Sequence, residues 1–173
     1  MALAVRADAA YVLVRRMETH ELYIVAEDLA ESLASVPAGR PGESGTLGPF
    51  EKVATVAGAD LVGSTYECPW MLPTEERFLM NAPFVTTDAG TGIVHMAPAH
   101  GQEDYEAWRD AGFLKKYGLK SPVDALGRLV TDASWGLNDV IRADVARLHG
   151  LEALGDGTER LLQLLDAHSV LLS

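Results

Sequence analysis

Between Gly90 and Tyr105 the chain reads GTGIVHMAPAHGQEDY, and residue types capable of chemistry gather here. His95 sits in the middle of a short apolar run, Ile93 to Ala97. His100, Glu103 and Asp104 follow, so that all four lie within a ten-residue window. An imidazole can accept, donate or carry a proton near neutral pH. A carboxylate in a partly dry site binds an ammonium group through charge-assisted hydrogen bonds. Pro98 has no N–H for a ladder and closes the apolar run. Two imidazoles and two carboxylates thus flank a strand-to-helix turn, where rigid elements can aim several side chains at one point.

Each of these residues also has a plainer reading. His95 could be a half-buried histidine bonded to backbone, or it could line the wall or floor of a pocket. His100 could fix the turn by side-chain to backbone bonds. Glu103 suits a helix start, because a carboxylate is favourable at the positive end of the helix dipole. Asp104 shares that position, and serves a pocket only if it points back towards the strand. A metal site from His95, His100 and Asp104 has no HExxH or cysteine-rich pattern behind it. Gly90-Thr91-Gly92 lacks the later Gly-Lys-Ser/Thr of a phosphate loop. No Gly-x-Ser-x-Gly nucleophile turn exists. Cys68 has no basic neighbour and reads as inert.

The elements that must position these residues read as a mixed set. Ala2–Val5, Ala10–Arg15 and Glu21–Ala26 have strand composition, the last two as a hairpin across Arg16–His20. Asp28–Leu33 reads as a short helix and Phe50–Val56 as a strand. Val36–Phe50 between them, with its prolines and glycines, reads as a loop. Gly58–Gly63 reads as a turn and an apolar step, and Tyr66–Pro73 as irregular. Phe84–Thr87 and Ile93–Ala97 read as strands joined through Asp88–Gly92. Gln102–Phe113 is the clearest helix, with Tyr105, Trp108 and Ala111 on one face and Gly112 at its stop. Pro122–Val130 reads as extended chain, a turn and a short strand. Asp139–Leu148 can be helical. Gly157–Leu165 reads as a helix with Thr158 as N-cap and a stripe of Leu161, Leu162 and Leu165. Strands do not alternate with long helices, so the fold expected is α+β: a mixed β-barrel-like core, closed or partly closed, with surrounding short helices.

The 173 residues fit one domain, 48% hydrophobic and 23% charged. No apolar run reaches about 18 residues, so no membrane span is expected. No secretory leader is read at the N-terminus. The lone Cys68 excludes an internal disulfide framework and points to a reducing compartment. The net charge of −11 argues against a domain that grips nucleic acid by a basic face of its own. Local basic clusters exist (Arg15 and Arg16; Lys115, Lys116 and Lys120), but an RNA partner would be held mainly from elsewhere.

GTGIVHMAPAHGQEDY resembles the signature of the editing, or connective-peptide, domain inserted into isoleucyl-tRNA synthetases, among the class I aminoacyl-tRNA synthetases. The valyl and leucyl enzymes resemble it in part. The histidine after Gly-Ile-Val and the Gly-Gln-Glu-Asp-Tyr run favour the isoleucyl type. Tyr11–Val14, Leu22–Asp28, Gly58–Leu61, Pro122–Asp124 with Gly127, and Leu154–Leu172 resemble other parts of that domain. The likeness therefore runs over nearly all of residues 1–173. A threonine-rich Thr-Thr-Pro-Trp-Thr strand that precedes these parts in the family has no counterpart; the stretch from Cys68 to Pro73 echoes it at another place. The chain is accordingly read as a truncated editing domain.

The resemblance implies hydrolysis of the ester in valine misattached to isoleucine tRNA. Asp104 would hold the α-ammonium group and His95 would line the side-chain pocket and exclude isoleucine. Thr91, Gly92, Ile93 and His100 would join Asp104 in binding the substrate end, with Gly92 admitting the terminal adenosine closely. It implies no metal and no cofactor. Its partners would be the aminoacyl end of isoleucine tRNA and the remainder of the synthetase, in the cytoplasm or the mitochondrion. The competing readings are a non-catalytic tRNA-docking or scaffold module, favoured by the acidic charge and the missing strand, and a metal hydrolase.

Overall fold

A computed structural model describes residues 2–37, 46–68, 76–131 and 137–168. The elements in chain order are β1 (Ala2–Val5), β2 (Ala10–Arg16), β3 (Leu22–Ala26), α1 (Ala30–Ala34), β4 (Phe50–Ala57), α2 (Gly58–Leu61), β5 (Phe78–Asn81), β6 (Val94–His95), α3 (Gln102–Asp110), α4 (Phe113–Tyr117), α5 (Asp139–Ala146) and α6 (Asp156–Ala167). The chain divides into two compact units. One comprises Met1–Tyr66 with Arg77–Met96, the other Glu67–Glu76 with Ala97–Leu172.

The first unit holds two three-stranded sheets, ordered β5-β1-β6 and β3-β2-β4. The hairpin forms as its composition requires: Tyr11 pairs with Ala26 and Arg15 with Leu22, antiparallel, and β4 adds to the other side of β2. A register shift between Leu13 and Val14 leaves Val53 as an extra residue on β4. β1 is apolar throughout because it is the central strand of its sheet, parallel to β5 and antiparallel to β6. Val5, Tyr11, Val12, Val14, Val25, Ala26, Leu29, Leu33, Leu47 and Leu61 form the core of this unit. Each fully buried valine or leucine contributes about 1.5–3 kcal/mol of transfer free energy.

The second unit is helical. Trp108 of α3 is buried, its ring centroid 5.1 Å from that of Phe113, and its Nε1–H donates to the Gly118 carbonyl at 3.1 Å. Ile141, Val145, Leu148 and Leu164 form a separate apolar cluster between α5 and α6. Among the described residues no helix is long and apolar enough to cross a membrane.

The α+β class holds, but among the described residues the sheets do not close into a barrel. β3 and β4 are the edges of one sheet, β5 and β6 those of the other. Closure needs staggered ladders carried right around, and a two-residue β6 beside four-residue neighbours offers too few rungs.

Several local expectations shift. Phe84–Thr87 is not a strand. Pro83 and a turn bond from Val85 N–H to the Ala82 carbonyl at 3.1 Å end the extended chain, and the strand is instead β5, just upstream. The run Ile93–Ala97 is a ladder only at Val94–His95. Gly58–Leu61 is a helical turn. Gly112 does stop α3, at φ +76°, and α4 follows directly. α6 starts earlier than expected, after Gly155, so Thr158 lies within its first turn and its hydroxyl donates to the Ala153 carbonyl. The buried stripe of α6 is Gly157 and Leu164 flanked by Leu161, whereas Leu162 is exposed. Residues 38–45 of the loop expected over Val36–Phe50, and most of Tyr66–Pro73, lie outside the described residues.

Candidate functional site

Thr91, Gly92, Ile93 and His95 belong to the first unit, His100 and Asp104 to the second. The Gly-Thr-Gly corner is built by the hairpin beneath it. The Tyr11 hydroxyl, at the buried end of β2, donates to the Gly92 carbonyl at 2.8 Å and accepts from Arg6 N–H at 2.9 Å. Ala26 N–H, at the end of β3, donates to the Thr91 carbonyl at 2.9 Å. Thr91 Oγ1 lies 3.4 Å from Ile93 N and 3.3 Å from the Ile93 carbonyl.

Gly92 is a glycine for an internal reason. Its φ is +71°, and a Cβ there would stand 2.5 Å from Cβ of Ala26. Gly90 has φ +66° with nothing within 4 Å of the equivalent position. Gly92→Ala therefore combines backbone strain with overpacking and is expected to cost about 2–5 kcal/mol. Gly90→Ala carries the strain alone, about 1–3 kcal/mol. Denaturant midpoints of the two variants check this; equal losses would mean that the Ala26 contact is not the limiting one.

His95 pairs with Leu3 across the β1–β6 ladder and is exposed. Of its two readings, the half-buried one does not hold. β6 is an edge strand, and Val94 beside it is exposed as well.

In the second unit, the turn after Pro98 is closed by two bonds onto the Ala97 carbonyl, from His100 N–H at 2.9 Å and Gly101 N–H at 3.0 Å. α3 begins after Gly101, which puts Asp104 in its first turn. The half-buried Asp104 turns back along the chain: its Oδ2 accepts from Ala97 N–H at 2.8 Å. Its carboxylate also explains the neighbouring glycine, since a Cβ on Gly101 would lie 2.9 Å from Oδ2. Among the described residues no group donates to Oδ1 of Asp104. Glu103 is exposed on the first turn, as the helix-start reading requires.

The exposed His100 carries its Nε2 3.2 Å from Oγ of Ser121. Ser121 was not legible as a partner: it lies 21 residues downstream, and no spacing links it to the turn. Beyond it, the Leu126 and Arg128 N–H groups donate to Asp124 Oδ1 at 2.8 and 2.9 Å, closing the turn around Gly127. These backbone bonds, that from Arg128 first, hold the Asp124 carboxyl below the usual carboxylate range. The bonded turn is thus favoured above the ordinary carboxylate pKa and loosens only as pH falls through the lowered value.

Two hollows lie away from these residues. One of about 250 Å³ in the second unit is lined by Arg147, Leu151, Asp156, Glu159, Arg160 and Gln163. One of about 180 Å³ in the first is lined by Arg6, Ala7, Asp8, Asn81 and Pro83. Among the described residues no group of three or more His, Cys, Asp or Glu side chains could hold a metal ion. The basic clusters are largely neutralised by the chain's own carboxylates. Arg15 pairs with Glu51 at 3.2 Å, the buried Arg16 with Glu18 at 3.3 Å, and Lys116 with Glu76 at 3.4 Å. Chemically, Asp104 offers a carboxylate oxygen that no described group donates to, and His95 and His100 offer exposed imidazoles; among the described residues the basic side chains named above lie beside carboxylates.

No family model matches the chain. The isoleucine–tRNA ligase of Thermosynechococcus vestitus is 38% identical over 162 residues, 90% of this chain and 15% of that protein. The isoleucine–tRNA ligase of Gloeobacter violaceus is 35% identical over 174 residues, 99% of this chain and 16% of that protein. That of Gloeothece citriformis is 32% identical over 177 residues, with the same coverage of 99% and 16%. The chain thus spans about one-sixth of the length of these relatives. The crystal structure of GlLeuRS-CP1 is similar in fold, with a TM-score of 0.57 at 20% identity, over 99% of this chain and 77% of that one.

Proposed function

Because this chain belongs to the isoleucine–tRNA ligase family as a segment of its connective-peptide region, we propose that it is the editing domain of such an enzyme. Its reaction in this reading is hydrolysis of the ester that joins valine to isoleucine tRNA. The physical need is plain. One methylene is worth about 1–3 kcal/mol in an apolar pocket, and isoleucine against valine is itself the standard example of that limit. A second site that admits only the smaller product restores the accuracy.

The observation that carries the reading is the carboxylate of Asp104. It is half-buried, turned back from the helix to the Ala97 N–H, and anchored there through one oxygen. In the proposed complex its other oxygen takes the α-ammonium group of the misattached valine. His95, exposed on its edge strand, meets the valine side chain and leaves no room for the further methyl group of isoleucine. The Thr91–Ile93 corner and His100 receive the terminal adenosine. A water attacks the ester carbonyl, and the proton it loses passes to the departing ribose oxygen. The juxtaposition of His95 with Asp104 that this requires is part of the proposal. So are the tRNA end and the rest of the synthetase as partners, and the cytoplasm as the compartment.

Valyl- and isoleucyl-tRNA, each preformed on isoleucine tRNA, are incubated with the full-length synthetase. The expected result is rapid release of valine and persistence of the isoleucyl ester. Equal, slow decay of both would leave a docking module as the better reading.

A further inference from the structure

Building on the editing reading, we infer that Ser121 is a positioning residue that holds His100 in its Nε2–H tautomer, so that Nδ1 accepts a hydrogen bond from a ribose hydroxyl of the terminal adenosine. The argument is a count of protons. The Ser121 hydroxyl has one. It is donated to the Val123 carbonyl at 2.7 Å, the shortest of the three contacts that Oγ makes. Val123 N–H donates back to Oγ at 3.2 Å. The third contact is His100 Nε2, also at 3.2 Å. With its own proton committed, Oγ can only accept, so Nε2 must be the donor.

A neutral imidazole has one donor and one acceptor nitrogen. Fixing the proton on Nε2 therefore leaves the lone pair on Nδ1. Among the described residues no group donates to Nδ1. The histidine backbone is held as firmly as the ring: His100 N–H and Gly101 N–H share the Ala97 carbonyl, and Ala97 N–H is tied to Asp104. The acceptor is thus fixed to the same turn as the carboxylate assigned to the amino acid. A bare acceptor selects a ligand with a proton to give. A ribose hydroxyl next to the ester has one; a phosphate diester does not.

The test uses this chain labelled with nitrogen-15, at a pH of about 8.5, where an ordinary imidazole is neutral. Long-range proton–nitrogen correlation is expected to show His100 Nε2 protonated and Nδ1 bare. Ser121→Ala should mix the tautomers, and Ser121→Thr, which keeps the hydroxyl, should restore them. A tautomer ratio unmoved by Ser121→Ala overturns the role of Ser121. In the second arm, a non-hydrolysable valyl-adenosine analogue is titrated into the same proteins. Ser121→Ala is expected to weaken binding about 2- to 12-fold, the equivalent of one hydrogen bond of about 0.5–1.5 kcal/mol, with no further loss when added to His100→Ala. Additive losses would overturn the coupling. A wild-type chain that keeps the tautomer and does not bind the analogue would overturn the ribose assignment together with the editing reading.

Discussion

Asp104→Asn in the full-length synthetase is expected to slow hydrolysis of valyl-tRNA about 30- to 5,000-fold while aminoacylation continues at its normal rate. The range corresponds to about 2–5 kcal/mol for removing one partner of a desolvated charge pair. Asparagine is the informative replacement, because this side chain has one task in the structure and a second in the proposed reaction. One oxygen accepts from Ala97 N–H at 2.8 Å and closes the turn before α3. The amide oxygen of asparagine can keep that bond, but its neutral head cannot hold an ammonium group. Alanine loses both. The pair of variants therefore separates anchoring from recognition: Asn should keep the denaturation midpoint and lose editing, whereas Ala should lose editing and some stability. Editing at the normal rate in Asp104→Asn would remove the ammonium from the account.

His95→Ala should act with the opposite sign. Its expected effect is a gain: isoleucyl-tRNA, which the proposed pocket excludes, becomes a substrate. If the imidazole is what fills the space of the extra methylene, selectivity for valyl over isoleucyl ester should fall about 10- to 200-fold. The measurement is the ratio of the two deacylation rates, with accumulation of charged isoleucine tRNA as a second readout. His95 is exposed on an edge strand, so truncating it leaves no core cavity and the loss of selectivity can be read without a loss of fold. Full protection of the isoleucyl ester in this variant would assign the size filter to another group.

The motif around these residues was legible because its grammar is local. Gly-Thr-Gly, Pro98 and the acidic first turn each force one piece of backbone, and the corner, the turn and α3 follow from them. The hairpin was legible for the same reason, through β-branched and aromatic runs on either side of a polar turn. β5 was missed because Phe78–Asn81 carries no β-branched residue; it is a strand because β1 pairs with it. The barrel was overdrawn because composition shows where strands can form, while closure depends on ladder length and stagger. Of the two readings open for His95, a half-buried histidine or a pocket wall, the first is not met, because an edge strand leaves the side chain exposed. Ser121 and Ala26 left no trace in the pattern around Gly90–Tyr105, since both reach it only through the folded chain.

The Ala26–Gly92 contact makes β3 a remote tuning point for the loop that leads to His95. A Cβ added at position 92, three residues before that histidine, would stand 2.5 Å from Cβ of Ala26, so there is no spare room between the two positions. In the proposed editing reading, Ala26→Val, in a strand that carries no site residue, is expected to disturb the corner before His95, and the ratio of valyl to isoleucyl deacylation rates measures it. A larger residue at either position therefore needs room given up at the other.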